Sequence, residues 1–321
     1  MILSSSHELN SDNVRIPSLV KKRKGTRLPQ RVVRATALPL SLVLVALSHS
    51  AANGGAWVQK ERGHFFKLTA GYLYTTEEYD NRGNIRSIRE GEPGISNTSY
   101  MELSATGYLE YGVAKRFTVA ANLPFKVVTS RRTETSTEGL VRNVEVVTGG
   151  LSDLTLSGRF LLFGTVTPLS IQAGVKLPLG YDATPPDGGA PLGSGKVDVE
   201  AWVLGGASIW PIRAYATGQA GYRLRGGAGI ADEYLFQIEG GFTPGNWLAK
   251  ATLEGVHSKG AADDQQSSTV VITNQDVLKI IPTIAYRFHR RFSVVTELIH
   301  IIEGKNTVAG TTYSAGIVLS N

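Results

Sequence analysis

Charged side chains recur at alternate positions inside segments that are otherwise apolar or small. In the segment 100–113, Glu102 and Glu110 fall on one face of a strand and Leu103 and Leu109 on the other, because successive side chains of a strand point to opposite sides. Carboxylates and cations on one face of several strands can line a hydrated path or pair with one another. The residues that we single out for this chemistry are Asp153, Arg159, Asp198, Glu200, Arg223, Arg225, Glu239, Lys250 and Glu254.

Two interpretations of these charges remain open. In the first, they line the lumen of a channel and tune what passes through it. In the second, the five acids pair with the bases and brace the interior. Inward-facing charges are usually paired, and the chain places basic and acidic groups there in near-equal numbers, so bracing is favoured for any single residue.

Enzyme chemistry has little support. His257 and Ser258 are adjacent, so on a strand they face opposite ways, which does not suit a nucleophile and its base. The chain has no Gly-x-Ser-x-Gly, His-Glu-x-x-His or Walker motif. Asp263 and Asp264 lack the spacing of a calcium loop and fit a solvated loop better. We therefore expect no catalytic residue, no metal site and no cofactor. A lipid hydrolase using His257 or Ser258 is the least favoured alternative.

Twelve segments with the two-residue period of strands position these charges. Several are long for globular strands and long enough to cross a bilayer at a tilt. The predicted strands are 65–75, 100–113, 117–128, 152–163, 169–178, 197–208, 214–225, 234–243, 248–258, 277–288, 292–302 and 308–319. In the eleventh, residues 299–302 break the alternation.

Long and short connections alternate between these strands. The long ones are polar, and two of them, 77–97 and 129–150, exceed twenty residues, whereas turns such as 114–116 and 244–246 are tight. Aromatic residues flank the short turns. This pattern is typical of outer-membrane barrels, which have short periplasmic turns, longer extracellular loops and aromatic girdles. The predicted fold is all-β: a transmembrane antiparallel up-and-down β-barrel of about twelve strands.

Composition agrees with this fold class. The net charge of +6 is carried by residues 1–56, which hold eight basic and two acidic side chains, so the remainder is neutral. Nucleic-acid binding by a basic domain therefore has no support. No run of eighteen apolar residues is present, which argues against a helical membrane protein.

The first 56 residues are interpreted as an extended N-terminus with a secretion signal. A basic stretch precedes apolar residues 35–47, and small residues follow, with cleavage expected after Ser50, Ala52 or Ala56. The predicted domains are a removed segment, 1–56, and a barrel, 57–321. The expected location is the outer membrane of a Gram-negative bacterium.

Four strings of residues carry a family resemblance. They are Gly149–Leu154, Leu177–Gly180, Gly193–Asp198 and the set formed by Tyr215, Gly221, Tyr222, Arg223, Asp232 and Glu233. In their order and spacing the chain resembles the bacterial outer-membrane family described as transporters of the MetA pathway of phenol degradation. The resemblance implies movement of small, often hydrophobic or aromatic compounds, with Asp153, Asp198 and Arg223 in the lumen.

The expected function is thus passive passage of small molecules through an outer-membrane channel, with a structural or adhesive barrel acting through its surface loops as the alternative. The expected partners are outer-membrane lipid, the barrel-assembly machinery and a small-molecule solute. One departure concerns assembly: such barrels usually end in an aromatic residue, whereas this chain ends at Asn321 and its last aromatic is Tyr313.

Overall fold

A computed structural model describes residues 55–185, 188–227, 230–259 and 274–321. A twelve-stranded antiparallel sheet closes on itself through the pairing of β4 with β5. The strands are β1 (His64–Thr75), β2 (Glu77–Tyr79), β3 (Ile85–Ser87), β4 (Ile95–Ala114), β5 (Phe117–Thr135), β6 (Val141–Leu151), β7 (Asp153–Phe163), β8 (Leu169–Pro178), β9 (Asp198–Ile209), β10 (Ala214–Arg225), β11 (Glu233–Phe242), β12 (Trp247–Ser258), β13 (Asp276–Arg287), β14 (Phe292–Lys305), β15 (Thr307–Val308) and β16 (Thr311–Ser320).

Neighbouring strands of the barrel are also neighbours in sequence, as in an up-and-down barrel, and β1 pairs with β16 to join the two ends of the chain. The predicted fold class is therefore confirmed. β6 and β7 follow one another along the same partner, β5, and count as one barrel strand. Within the described ranges, no helix is long and apolar enough to cross a bilayer.

The alternation of side chains matches the prediction. In β1, Phe65, Lys67, Thr69 and Leu73 are buried in the interior, while the residues between them face outward. Large apolar side chains such as Leu68 remain exposed on the outer surface. Each strand thus has one apolar outer face and one mixed inner face, which is the pattern that a lipid-facing barrel requires.

The prediction of a long loop at 129–150 is wrong. β5 continues to Thr135 and pairs residue by residue with β6, so most of this stretch is a hairpin that extends beyond β8. The polar composition suggested a loop, but the run is also rich in Val and Thr, whose branched side chains favour strands.

The strand predicted at 152–163 contains a bulge at its outer end. Ser152 and Asp153 both turn inward: the Ser152 hydroxyl donates to the main-chain carbonyl of Leu192, and Asp153 lies 3.4 Å from Lys176. β7 then pairs with β8 as far as Pro178, and β6 is left as an edge that pairs with β5 only. A second bulge explains the broken alternation at 299–302, because the register of β13 with β14 shifts between Leu278 and Lys279.

The long connection at 77–97 is partly ordered into strands. β2 and β3 form a small sheet that β15 completes, and this sheet lies beyond the ends of β1 and β14. At the opposite end of the barrel, where the short turns lie, large aromatic side chains are exposed on the outer surface. They are Tyr111, Phe163, Trp210, Phe242, Trp247, Phe288 and Phe292.

Candidate functional site

All nine predicted charged residues lie on the inner face of the barrel. Arg159, Asp198, Glu200, Glu239 and Lys250 are buried. The other four, Asp153, Arg223, Arg225 and Glu254, are half-buried. Each of the nine has an opposite charge within 3.4 Å, so the interior is a set of ion pairs rather than a row of free charges.

The outer half of the interior carries a ladder of alternating charges across β7 to β11. Lys176 lies 3.4 Å from Asp153 and 2.5 Å from Asp198. Asp198 in turn faces Arg225 at 3.7 Å, and Arg225 lies 3.0 Å from Glu233. One lysine or arginine thus bridges two acids at each step, and the acids lie on different strands.

Arg223 forms the next step of the ladder. Its guanidinium lies 3.1 Å from Glu200 and 2.7 Å from Glu233. Glu233 was not predicted as a lumen residue, because it stands at the first position of β11, directly after a loop, where the period of a strand gives no signal. Farther around the wall, Lys279 pairs with Glu254 at 3.2 Å.

Two further pairs lie deeper and are almost closed to solvent. Lys250 lies 2.8 Å from Glu239, which also accepts hydrogen bonds from the hydroxyls of Tyr215 and Thr252. Lys67 lies 3.0 Å from Glu297. The sequence predicted inward positions for Glu239 and Lys250, and the structure brings them together as partners.

Arg159 belongs to a third deep pair. It lies 3.3 Å from Glu110 and donates through Nε to the Gln172 side chain at 3.0 Å. Glu110 also accepts the Tyr108 hydroxyl at 2.6 Å. Through Nη1, Arg159 also donates to a main-chain group that precedes the first strand, the carbonyl oxygen of Trp57, at 3.0 Å.

That carbonyl belongs to an N-terminal strap, residues 55–60, which lies inside the barrel at the end with the short turns. The chain enters β1 through a tight turn in which the Gly63 amide donates to the Lys60 carbonyl at 2.7 Å. Gly112 of β4 is required beside this turn, since a Cβ there would collide with the main chain of Lys60. The strap therefore begins at the end of the barrel that carries the short turns.

From this turn the strap follows the inner wall across six neighbouring strands. Its Gln59 side chain donates to Glu110 on β4 and its Gln59 amide to Thr118 on β5. Its next contacts are Arg159 on β7, Ser170 on β8, Gly206 on β9 and Thr217 on β10. The Ser170 hydroxyl donates to the Ala56 carbonyl at 2.6 Å, and Ala56 is fully buried.

Trp57 extends from the strap onto the inner wall. Its ring stands edge-on to Tyr215, with centroids 6.1 Å apart, and its indole N–H donates to the Thr165 carbonyl in the turn after β7. It packs against a buried apolar cluster formed by Phe65, Tyr215, Leu248, Ala285, Val295 and Val318. At the end with the short turns, Trp57 therefore joins the strap to the wall by apolar contact.

The sequence did not reveal this strap. It has no strand period, and the predicted boundary at 56 and 57 runs through it. Cleavage after Ser50 or Ala52 would leave the strap whole, whereas cleavage after Ala56 would remove its Ser170 contact. Residues 1–54, which carry the predicted signal, lie outside the described residues, as do Asp263 and Asp264.

The connection after β8 folds against the outer half of the wall. The Tyr181 hydroxyl donates to Asp153 and accepts the Gly195 amide at 2.7 Å. Burial and the hydrogen bond to Asp153 raise the pKa of Tyr181, so it stays a neutral donor at physiological pH. Asp153 is therefore shared between Lys176 on the wall and Tyr181 in the loop.

His257 and Ser258 are not arranged for catalysis. The His257 side chain is mostly exposed and lies 3.3 Å from Asp276, whereas Ser258 is buried on the other side of the strand. The Ser258 hydroxyl is engaged with both main-chain groups of the neighbouring residue, Gln275. The sequence-based expectation that the two face opposite ways agrees with this arrangement.

No family model matches the chain, and no curated protein matches it by sequence. Among solved structures, the COG4313 outer membrane channel from Pseudomonas putida F1 is similar, with a TM-score of 0.58 at 14% identity over 85% of this chain and 100% of that one. This likeness shows a shared barrel fold. The KdgM porin (TM-score 0.42, 10% identity, 79% of this chain and 99% of that one) and the CymD monoaromatic hydrocarbon channel (0.41, 10%, 83% and 90%) are more distant.

Proposed function

We propose that the chain is an outer-membrane channel of a Gram-negative bacterium for the passive passage of small molecules, hydrophobic and aromatic ones included. The observation that carries the proposal is a closed twelve-stranded barrel whose outer face is apolar and whose inner face carries the charged side chains. The interior ion pairs differ in exposure: the side chains of Lys279 and Glu254 are 29% and 35% exposed, those of Arg225 and Glu233 are 3% and 6% exposed, and those of Arg159 and Glu110 beside the strap are each 3% exposed. A polar interior inside an apolar outer face is the arrangement of a membrane channel.

The outer surface supports a membrane location. Its apolar belt would cost free energy in water, and the exposed aromatics at the short turns suit a membrane interface. Outer-membrane lipid and the barrel-assembly machinery are then the partners during insertion. The resemblance to transporters of the MetA pathway, which no family model supports, adds to the proposal only the expectation of aromatic solutes.

The proposal assigns no catalytic step to this chain. The charged interior groups described above are engaged with each other, and the Ser258 hydroxyl is engaged with main-chain groups while His257 faces away from it, 3.3 Å from Asp276. Replacement of Ser258 by Ala is expected to leave solute passage unchanged. Hydrolysis of a lipid substrate by the purified barrel that is lost in this variant would contradict a channel without enzyme activity.

A structural or adhesive role is the second candidate, and one observation favours it. The β5–β6 hairpin extends past the wall and presents Leu140 and Val141 at its tip, where they are 70% and 68% exposed. Two adjacent exposed apolar residues suit a protein contact. Shortening the hairpin to remove residues 133–143 tests this role: binding of cells or proteins that disappears while conductance persists supports adhesion.

A channel is tested by conductance. The protein is purified from outer membranes, inserted in a planar bilayer, and compared with a variant whose base, the end with the short turns, is opened. Discrete steps that depend on the interior residues support the channel. A folded barrel that gives no steps in any variant and passes no solute would overturn the proposal.

A further inference from the structure

The N-terminal strap is held in the lumen by a small number of polar contacts. Four of them are made to the strap's main chain or to Gln59: those from Arg159 and Ser170 and those to Thr118 and Glu110. No strand of the barrel depends on the strap for its pairing, because β1 is paired on both edges from His64 onward. The strap can therefore leave without opening the wall.

At the base of the barrel, the end with the short turns, the contact between Trp57 and the wall is apolar. Trp57 meets Tyr215 and the apolar cluster that includes Phe65 and Leu248. The charge beside this contact is neutralised, because the Tyr215 hydroxyl donates to Glu239, which lies 2.8 Å from Lys250. Narrow apolar constrictions expel water, so they block ions even when they are wide enough for one, whereas the dehydration of an apolar solute there costs no free energy. The chemistry of this base distinguishes solutes by polarity.

The ion pairs between the base and the outer end of the barrel also favour uncharged solutes over ions. Each of the nine predicted lumen charges has an opposite charge within 3.4 Å, so none of these nine is an uncompensated site for an ion. An uncharged solute needs no such site. The wall and the base thus favour the same class of solute.

We propose that residues 55–60 are a displaceable gate at the periplasmic end, and that Trp57 in its apolar seat makes this gate pass uncharged apolar small molecules, aromatic ones included, while excluding ions. The inference rests on the proposed channel function and deepens it by naming the gate and the solute class. When the strap lies against the inner wall, solutes cannot pass through the lumen. When Trp57 moves away from Tyr215, the space that its ring occupied opens the lumen to the periplasm.

The gate can be locked by a disulfide, because the chain has no cysteine of its own. A Cβ placed on Gly206 lies 3.3 Å from the Cβ of Ala56, close to the roughly 3.5–4.5 Å of a disulfide. The first lock is therefore Ala56→Cys with Gly206→Cys. Because Trp57 lies close to Gly206, a second lock, Gly55→Cys with Thr217→Cys, tests the same gate without touching that seat.

Two probes separate the solute classes: potassium chloride conductance in planar bilayers for ions, and uptake of the uncharged dye 1-N-phenylnaphthylamine by cells producing the protein. Oxidation of either lock is expected to lower dye uptake about tenfold, and reduction should restore it, since a closed gate removes the path. The matched controls are the single variants Gly206→Cys and Thr217→Cys, which oxidation should leave unchanged.

Trp57→Ala provides the opposite change. Removing the ring should raise ion conductance about tenfold over the wild type, because the dewetted seat becomes wet. Unchanged dye uptake by the oxidised locks, with uptake above that of cells lacking the protein, would overturn the gate and leave the channel intact. If neither the wild type nor Trp57→Ala passes either probe, the channel proposal itself fails.

Discussion

The Arg159 guanidinium donates a 3.0 Å hydrogen bond to the main-chain carbonyl of Trp57, 102 residues earlier in the chain. The same guanidinium lies 3.3 Å from Glu110. One buried cation therefore does two things at once: it neutralises a carboxylate on the inner wall and it holds the N-terminal strap across the base. Arg159 thus takes part both in pairing charges across the interior and in holding the strap, a second role that the sequence analysis did not predict.

Replacement of Arg159 by Gln should free the strap. The carbonyl of Trp57 loses its charged donor, and hydrogen exchange of the amides at 57–59 should become faster while those of β7 remain protected. Exchange measured by mass spectrometry on the purified barrel checks this. Gln172→Leu is the matched control, because it touches Arg159 but not the strap. Equal protection of the strap in wild type and Arg159→Gln would contradict the anchoring role.

The deep pair of Lys250 with Glu239 should behave as a brace. Lys250→Met leaves a carboxylate at 1% side-chain exposure without its cation, which is expected to cost about 3–5 kcal/mol of unfolding free energy. Adding Glu239→Gln should recover most of that loss, since no buried charge then remains. Urea unfolding of the refolded barrel measures both variants. A double variant that is no more stable than the single one would refute mutual bracing.

The orientation of β7 gives a test of the membrane-facing surface. Leu156 is 40% exposed on the outer face, whereas its neighbour Thr155 points inward. Leu156→Arg should block assembly, because a cation on the lipid face costs about 2–4 kcal/mol near the midplane. Thr155→Arg should assemble in larger amounts. The folded fraction is read from heat-modifiable migration in gels, and equal loss in both variants would show that the register is wrong.

The loop between β10 and β11 should loosen in acid. Asp232 accepts the Arg225 amide at 3.0 Å and the Tyr222 hydroxyl at 2.8 Å, and these hydrogen bonds lower the pKa of Asp232. A lowered pKa means that the ionised carboxylate stabilises the folded loop. This stabilisation is complete at pH values above the ordinary pKa of about 3.8, and it is lost as the pH falls through the lower pKa of the folded state.

Exchange of the Arg225 amide, corrected for its intrinsic rate, should therefore accelerate below pH 4 in the wild type. In Asp232→Asn it should be fast and independent of pH across the same range, because the amide side chain does not ionise there. An amide whose protection does not change with pH in the wild type would show that Asp232 does not hold this turn.

The barrel was predictable because its determinants are local. A two-residue period places Glu110 inside and Leu109 outside whatever the neighbours are, and the boundaries of β8 and β10 were predicted to the residue. The β5–β6 hairpin was missed because charged and polar residues alternate in it without an apolar outer face. The bulge at Ser152 was missed because it accompanies contacts with distant parts of the chain, of Ser152 with Leu192 and of Asp153 with Lys176, which no local pattern encodes.

The site was predictable only in part, for a related reason. The two-residue period of a strand shows that Arg159 or Glu254 points inward. The ion-pair partner of each residue depends on the register and shear between neighbouring strands, and the sequence of a single strand does not encode these. Glu254 pairs with Lys279 rather than with any of the predicted bases. The strap is an aperiodic segment held by contacts with residues far away in the sequence. No pattern in the residues around Trp57 predicts that they fold back into the barrel.

Single-channel recording of the wild-type protein beside Trp57→Ala tests the central claim most directly. The account predicts rare, small ion steps from the wild type and frequent steps about tenfold larger from the variant, because the same barrel has lost only its apolar base. Large steps of equal size in both proteins would show that Trp57 does not close the lumen. Silence in both, together with no uptake of the uncharged dye by either, would show that the barrel is not a channel.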